Sequence, residues 1–266
     1  MIKNITIGQY YPVKSPIHDL DPRTKITCVF LFIVALFFAH DYFSYGLALV
    51  ASLLMIFVSR VPMKALLRGL KPILIFVVIT AFLHAFLTPG VEIWRWKMLK
   101  VTQEGLNQAI FTACRLILLI AVSSLLTLTT TPISLTDGME KILAPFKKIG
   151  LPAHELAMMM TIALRFIPTL LEETDKIMKA QISRGADFSS GNLIKKSKAL
   201  VPLLVPLFIS AFKRAEELAL AMEARGYHGG EGRTRMRVLK MQPADWVSFG
   251  LVLVFLTYMG YYRWFK

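Results

Sequence analysis

Residues 109–128 read "AIFTACRLILLIAVSSLLTL", an uninterrupted apolar run in which Arg115 is the one charged residue. As an α-helix that rises about 1.5 Å per residue, a run of this length crosses the roughly 30 Å hydrocarbon core of a bilayer. Similar apolar runs occupy residues 26–39, 42–58, 73–87 and 246–262. The pattern predicts an all-α membrane protein with about five transmembrane helices.

The composition and charge of the chain agree with a membrane protein. Of its 266 residues 55% are hydrophobic, and its formal net charge is +14. A basic excess is also typical of nucleic-acid-binding proteins. Here, however, Arg60, Lys64, Arg68 and Lys71 directly follow an apolar run, where cations meet lipid headgroups. We therefore expect membrane lipids as partners of the basic residues, and no nucleic acid.

The distribution of Lys and Arg also predicts the orientation of the chain. The loop of residues 59–71 has four of them and no acid, and the segment before residue 26 has four more. Because Lys and Arg concentrate in cytoplasmic loops, we expect the N-terminus in the cytoplasm. Counting spans from there predicts an N-terminal membrane domain over residues 1–131, a cytoplasmic domain over residues 132–243 and a C-terminal transmembrane helix over residues 244–266.

Two further apolar runs lie inside the predicted cytoplasmic domain, at residues 155–171 and 199–212, and each passes directly into a charged helix. Arg165 lies within the first run, and Pro202 and Pro206 are expected to interrupt the second. We therefore expect long helices that begin against the membrane domain and extend into the cytoplasm. A membrane span stays the alternative for either run.

Both charged helices end on the same dipeptide, in "AQISRGADFS" (residues 180–189) and "AMEARGYHGG" (residues 221–230). Capping is one explanation, because Gly commonly terminates a helix and a cation there favours the helix dipole. A shared binding task is the other. An arginine at a helix end offers a planar fork of donors to a partner's carboxylate, and the adjacent Gly permits a close approach. Two such ends imply two partner sites.

These helix ends, together with "GQYYPVKSPIHDLDPRTK" at residues 8–25, resemble the transmembrane T component of energy-coupling factor transporters, the CbiQ/EcfT family. The resemblance implies a multi-pass scaffold in the bacterial plasma membrane with a cytoplasmic coupling domain. Its two coupling helices would dock on two ABC ATPase subunits, and its membrane part would hold a substrate-binding S component. The family's Ala-Arg-Gly motif, once with Ser for Ala, places ATPase-binding residues at Ser183, Arg184, Gly185, Ala224, Arg225 and Gly226.

The resemblance further implies a non-catalytic subunit of an importer for vitamins or other micronutrients. No G-x-x-x-x-G-K-[ST] phosphate-binding loop occurs in the sequence. We therefore expect ATP to be bound by the partner subunits, with no cofactor, metal site or catalytic residue in this chain.

A protein of another class stays open from the residues alone, namely a self-contained membrane enzyme or channel. In that alternative His84, Arg115 and the pair Asp19 and Asp21 would form a buried polar site, because polar groups inside a membrane are functional candidates. Each also has a structural explanation. Asp-Pro is an ordinary helix start, a long arginine side chain can reach the interface, and a histidine can bond a backbone carbonyl.

Overall fold

α-Helices dominate the computed structural model, which describes residues 10–96, 99–186, 188, 193–229 and 239–265. In chain order they are α1 (Pro16–Asp19), α2 (Pro22–Phe38), α3 (Tyr42–Ser59), α4 (Met63–Leu87), α5 (Gln103–Thr129), α6 (Pro132–Leu143), α7 (Ala153–Ser183), α8 (Leu193–Ala224) and α9 (Pro243–Phe265). Two short strands lie between α4 and α5, and a 3₁₀ segment, Ala144–Ile149, precedes α7. The prediction of an all-α membrane protein is confirmed.

Within the described residues, five helices are long and apolar enough to cross a membrane: α3, α4, α5, α7 and α9. Helix α2, which contains the predicted run at residues 26–39, has 17 residues, one fewer than α3. Helix α7 lies in the segment that the sequence places in the cytoplasm. Its length and composition therefore also permit the membrane span that was the alternative for this run.

The chain forms two compact units. The core unit comprises residues 8–142 and 238–266, and the hairpin unit comprises residues 1–7 and 143–237. Residues 1–9 of the predicted membrane domain and residues 230–238 of the predicted cytoplasmic domain lie outside the described residues.

Helix α5 lies at the centre of the core unit, where it packs against α2, α3 and α4, while α9 packs against α2. Between membrane helices such packing depends on van der Waals contact, so small residues at the interface matter. Gly69 of α4 is an example, because a Cβ there would lie 3.1 Å from the Ser124 hydroxyl oxygen of α5. Phe32, Leu36, Leu118, Val122 and Met259 are buried together in the largest apolar cluster.

A buried polar cluster joins the start of α2 to the start of α9. The Asp21 backbone N–H donates to Asp245 Oδ1 at 2.8 Å, and Asp245 Oδ2 accepts from the Gln242 N–H at 2.7 Å. The Asp21 carboxylate caps α2 by accepting from the Arg23 N–H at 2.9 Å, and it pairs with the Arg23 guanidinium at 2.9 Å. We call Asp21, Arg23 and Asp245 the polar latch.

The ionisation of Asp21 fits this structural role. Burial by itself disfavours the charged carboxylate, but the hydrogen bonds from the Arg23 side chain and backbone outweigh burial and lower the pKa of Asp21. The helix-start explanation of the Asp-Pro pair is therefore the one that the structure supports.

The connection between α4 and α5 is a β-hairpin, although the sequence indicates only a loop there. Strand β1 (Glu92–Trp96) pairs antiparallel with β2 (Leu99–Thr102), with Trp96 opposite Leu99. Aromatic and β-branched residues favour this extended conformation. The sequence also predicts that Trp94 and Trp96 lie at the membrane interface, because indole side chains are enriched there. That role stays a prediction, since their side chains lie outside the part that the structure describes.

Candidate coupling site

Helices α7 and α8 of the hairpin unit pack as an antiparallel pair. Near the end of α7, Gln181 Nε2 donates to the Pro202 carbonyl at 3.3 Å. Two turns earlier in α7, Glu173 accepts from the Ser210 hydroxyl and from Arg214 Nη2, the latter at 3.1 Å. Residue numbers in α8 therefore rise as those in α7 fall.

The predicted interruption at the α8 prolines is wrong, because α8 continues through Pro202 and Pro206, and α7 continues through Pro168. A proline lacks the N–H that would bond the carbonyl four residues earlier, so Pro206 leaves the Pro202 carbonyl without its helical partner. Gln181 of the neighbouring helix donates to that carbonyl instead. The contact between the helices thus offsets part of the cost of the proline.

Helix α7 ends in a Schellman motif centred on Arg184 and Gly185. The Ala186 N–H donates to the Gln181 carbonyl at 3.0 Å, and the Gly185 N–H donates to the Ile182 carbonyl at 2.9 Å. Gly185 has φ of +89°, a left-handed conformation that costs a residue with a Cβ about 1–2 kcal/mol. The glycine therefore lets the helix stop immediately after the arginine without this cost.

Helix α8 ends in the same way at Arg225 and Gly226. The Tyr227 N–H donates to the Met222 carbonyl at 3.0 Å, the Gly226 N–H donates to the Glu223 carbonyl at 2.9 Å, and Gly226 has φ of +70°. Since both ends follow one hydrogen-bonding scheme, both arginines occupy the same position relative to their helix axis.

Capping alone does not require an arginine at this position. The 3₁₀ segment ends at Gly150 with φ of +89° and a Gly150 N–H bond to Lys147, and the residue before that glycine is Ile149. The shared cap therefore explains the glycines at positions 185 and 226, whereas the arginine side chains need a different explanation.

The side chains at the two ends face solvent. Arg184 and Arg225 are exposed, and neither has an acidic partner among the residues that the structure describes. The Ser183 hydroxyl donates to the Lys179 carbonyl of its own helix at 3.1 Å. Because its polar group is satisfied within the helix, Ser183 presents a small surface similar to that of Ala224, its counterpart in α8.

The antiparallel register places the two Arg-Gly ends at opposite ends of the helix pair. Because Gln181 lies beside Pro202, Arg184 lies near the level of Ala199 in α8. Most of α8 then lies between Ala199 and Arg225. That length of helix, about 26 residues, corresponds to roughly 40 Å. The hairpin is therefore a two-ended element with one exposed guanidinium at each end.

Glu173, Ser210 and Arg214 form an ionic brace between the helices that the sequence does not reveal. The brace residues are 37 and 41 positions apart along the chain. Helical periodicity relates residues three or four apart and so contains no signal for such a pair. Within the sequence, the only indication is the presence of opposite charges on both amphipathic helices.

The polar site required by the enzyme or channel alternative is not formed. Arg115 Nη2 donates to the Ala39 carbonyl at 3.2 Å, and its guanidinium lies 5.7 Å from the Phe37 ring centroid. Ala39 follows the last residue of α2, and Asp21 precedes the first, so the 17 residues of α2 separate them by roughly 25 Å. Arg115 thus bonds the end of α2, and a reach of its side chain to the membrane interface stays a prediction.

His84 is also remote from both groups. It lies in the last turn of α4, where its carbonyl accepts from the Thr88 N–H at 3.3 Å and faces Gly105 of α5. Gly105 precedes Arg115 by ten residues of α5, roughly 15 Å of helix. His84, Arg115 and Asp21 consequently occupy three separate places in the core unit.

Apolar helices of membrane-spanning length define a multi-pass membrane protein, which also contains a helix pair with two exposed arginine ends. Comparison with known proteins agrees. The profile of the CbiQ family, described as cobalt transport protein, matches residues 13–236.

Relatives named energy-coupling factor transporter transmembrane protein EcfT are similar over nearly the whole chain. The one from Clostridium kluyveri is 57% identical over 100% of both chains, and the one from Acidaminococcus fermentans is 54% identical over 99% of this chain and 98% of the relative. The Bacillus subtilis relative is 55% identical over 90% of this chain and 91% of its own length. The chain belongs to the CbiQ family, among the transmembrane components of energy-coupling factor transporters.

Proposed function

We propose that this chain is the scaffold subunit that transmits ATP-driven movement from two cytoplasmic ABC ATPases to a membrane-embedded substrate-binding S component. The ATPases bind and hydrolyse ATP, and the S component binds a vitamin or another micronutrient. The chain itself catalyses no reaction and needs no cofactor. Its contribution is mechanical, and the ATPase-binding residues are those at the two Arg-Gly ends.

The repetition of one helix-end geometry carries this proposal. Each guanidinium can form a bidentate pair with a carboxylate in a groove of one ATPase. The ends are roughly 40 Å apart, which exceeds the roughly 30 Å diameter of a small domain, so two ATPases can be bound side by side. A single partner would not need two copies of the same terminus.

The distance between the ends also constrains how the hairpin lies against the membrane. If α7 and α8 crossed the bilayer, their roughly 40 Å length would place Arg184 and Arg225 on opposite sides of a roughly 30 Å hydrocarbon core. Both ends can reach cytoplasmic ATPases only when the helix pair lies along the membrane surface. We therefore assign residues 132–243 to a cytoplasmic coupling domain, with a cytoplasmic N-terminus and residues 1–131 and 244–266 in the bacterial plasma membrane.

Movement then follows from the lever formed by each long helix. When the ATPases close on ATP, the grooves that hold Arg184 and Arg225 approach each other. The helices pivot at the ionic brace of Glu173, Ser210 and Arg214, and their apolar segments shift against the S component. That shift tilts the S component and releases its substrate towards the cytoplasm.

The test is co-purification of the tagged full chain from its native membrane. The double variant Arg184→Glu/Arg225→Glu is compared with Lys179→Glu/Lys213→Glu, which reverses two exposed charges on the same helices, five residues before Arg184 and twelve before Arg225. Truncating one partner of a buried charge pair costs roughly 2–5 kcal/mol, so each reversal should weaken ATPase binding at least about 30-fold. The control should retain ATPases, and both variants should retain the S component.

Retention of both ATPases by the Arg184→Glu/Arg225→Glu variant, with unchanged uptake, would show that the helix ends are not the coupling site. Transport or catalysis by the purified chain without any partner would instead support the self-contained membrane protein. In that case the polar residues inside the core unit become the place to search.

A further inference from the structure

The surface of the core unit contains an open apolar groove of about 780 Å³ along α3, which ends at the turn into α4. Its lining comes from α3, from Val61 of the turn and from Met63, the first residue of α4. Val50, Leu53, Leu54 and Phe57 of α3 line one wall at the i, i+3, i+4, i+7 spacing of a single helix face.

A cation closes one end of this groove. Arg60 ends α3 with φ of +54°, the one non-glycine residue in the left-handed region within the described part of the chain. The Ser59 hydroxyl supports this turn, because it donates to the Ile56 carbonyl at 2.6 Å and accepts from the Val61 N–H at 3.3 Å. The turn places Arg60 among the residues that line the groove, beside Met63 at the start of α4.

The surroundings of Arg60 are uniformly basic. Lys64, Arg68 and Lys71 are exposed and lie at the i, i+4, i+7 positions of α4, on one face of that helix. Among the residues that the structure describes, none of these cations has a carboxylate within salt-bridge distance. The start of α4 also has no side-chain cap, so its first backbone N–H groups favour an anion.

The dimensions of the groove match one leaflet of a bilayer. From Val50 to Arg60 the helix rises roughly 15 Å, which is half of the roughly 30 Å hydrocarbon core. A ligand in the groove thus has a hydrocarbon part as long as one leaflet and an anionic group at the headgroup level. Its volume of about 780 Å³ is within the usual range of ligand sites.

We propose that the groove along α3 binds one anionic phospholipid, with an acyl chain along Val50, Leu54 and Phe57 and the phosphate at Arg60. The neighbouring cations of α4 select an anionic over a zwitterionic headgroup. With the orientation proposed above, the lipid belongs to the cytoplasmic leaflet.

The experiment measures the association of spin-labelled lipids with the full chain in phosphatidylcholine nanodiscs. We expect spin-labelled phosphatidylglycerol to be immobilised in preference to spin-labelled phosphatidylcholine. Since one cation at the membrane surface changes anionic lipid binding about fivefold, Arg60→Gln should reduce that preference about fivefold. Lys240→Gln, which neutralises an exposed cation just before α9, is the matched control and should leave the preference unchanged.

A second variant tests the apolar part of the site without altering charge. Leu54→Trp fills the groove at an exposed position that the fold does not bury, and it should reduce the immobilised phosphatidylglycerol signal although Arg60 is intact. Unbound inorganic phosphate should not displace the labelled lipid, because phosphate lacks the acyl chain.

Four results would overturn the proposal: an unchanged preference in Arg60→Gln, an equal loss in Lys240→Gln, no effect of Leu54→Trp, or displacement by inorganic phosphate. If Arg60→Gln leaves lipid association intact but releases a membrane protein from the purified complex, the groove seats a protein and not a lipid. None of these results bears on the coupling role of Arg184 and Arg225, which is tested separately.

Discussion

Replacement of Asp245 by alanine should destabilise the core unit more than any nearby substitution of similar size. Asp245 is 2% exposed, and its two oxygens accept from backbone N–H groups of Asp21 and Gln242 at 2.8 and 2.7 Å. Alanine removes both acceptors and leaves the buried Asp21 N–H without a partner. It also removes a negative charge from the neighbourhood of Arg23 and Lys25.

The expected loss follows from these two hydrogen bonds. A hydrogen bond to a charged group contributes about 1.5–3 kcal/mol, so the loss of two should cost about 3 kcal/mol or more. For a domain of this size, each 1 kcal/mol lowers Tm by roughly 2–4 °C. We therefore expect Tm to fall by about 6–12 °C in Asp245→Ala, and to fall also in Asp245→Asn, which retains one acceptor oxygen but turns its NH2 group towards the other backbone N–H.

Thermal unfolding of the purified chain in a mild detergent measures this change. Ser248→Ala is the matched control, because Ser248 lies in the same helix, is half-buried, and bonds the Ala244 carbonyl of its own helix. A change that removes no contact with another helix should stay within about 0.5 kcal/mol. If Asp245→Ala lowers Tm no more than Ser248→Ala does, the polar latch does not hold α9 to α2, and the reasoning is refuted.

Three further predictions concern other parts of the chain. Gly226→Ala should speed hydrogen exchange in the last turn of α8 by about 5–30-fold, because a residue with a Cβ at φ of +70° costs about 1–2 kcal/mol. The cost comes from the backbone conformation and not from a clash, since no atom lies within 4 Å of the added Cβ. Gly250→Ala, inside α9 with equal space, should instead be neutral or stabilising by up to about 1 kcal/mol. With Cys28 and Cys114 replaced, Arg184→Cys and Arg225→Cys should both react with an impermeant maleimide in inverted vesicles and not in intact cells. Burial lowers the pKa of His18 below 6.5. The contribution of the neutral imidazole to stability is therefore fully present above pH 6.5 and is lost as pH falls through the pKa of the folded state. His18→Gln should abolish this part of the pH dependence of Tm.

Each of these predictions has a contrary outcome. Equal exchange rates in wild type and Gly226→Ala would show that the Schellman glycine is not needed to end α8. Labelling of Arg184→Cys and Arg225→Cys from opposite sides would show that the helix pair crosses the bilayer, and would contradict the proposed coupling domain. A pH dependence of Tm that is the same in His18→Gln would assign it to another group.

The class of this protein was determined by its sequence alone. Membrane-spanning helices can be predicted from a short stretch of sequence, such as residues 109–128. In a bilayer a continuous apolar run is stable as a helix, because all its backbone hydrogen bonds then form within the run itself. The ends of α7 and α8 are equally local, since a Schellman cap involves six consecutive residues. For the same reason the family resemblance could be drawn from short motifs at residues 8–25, 183–185 and 224–226.

Contacts between distant parts of the chain were decided only by the tertiary structure. Asp245 bonds Asp21 across 224 positions, and Glu173 meets Arg214 across 41, and no periodic pattern links such pairs. The separation of His84, Arg115 and Asp21 depends on which helices pack on α5. Hydropathy indicates that a helix is buried in lipid or protein. Which helices it packs against depends on the shape and polarity of whole helix faces.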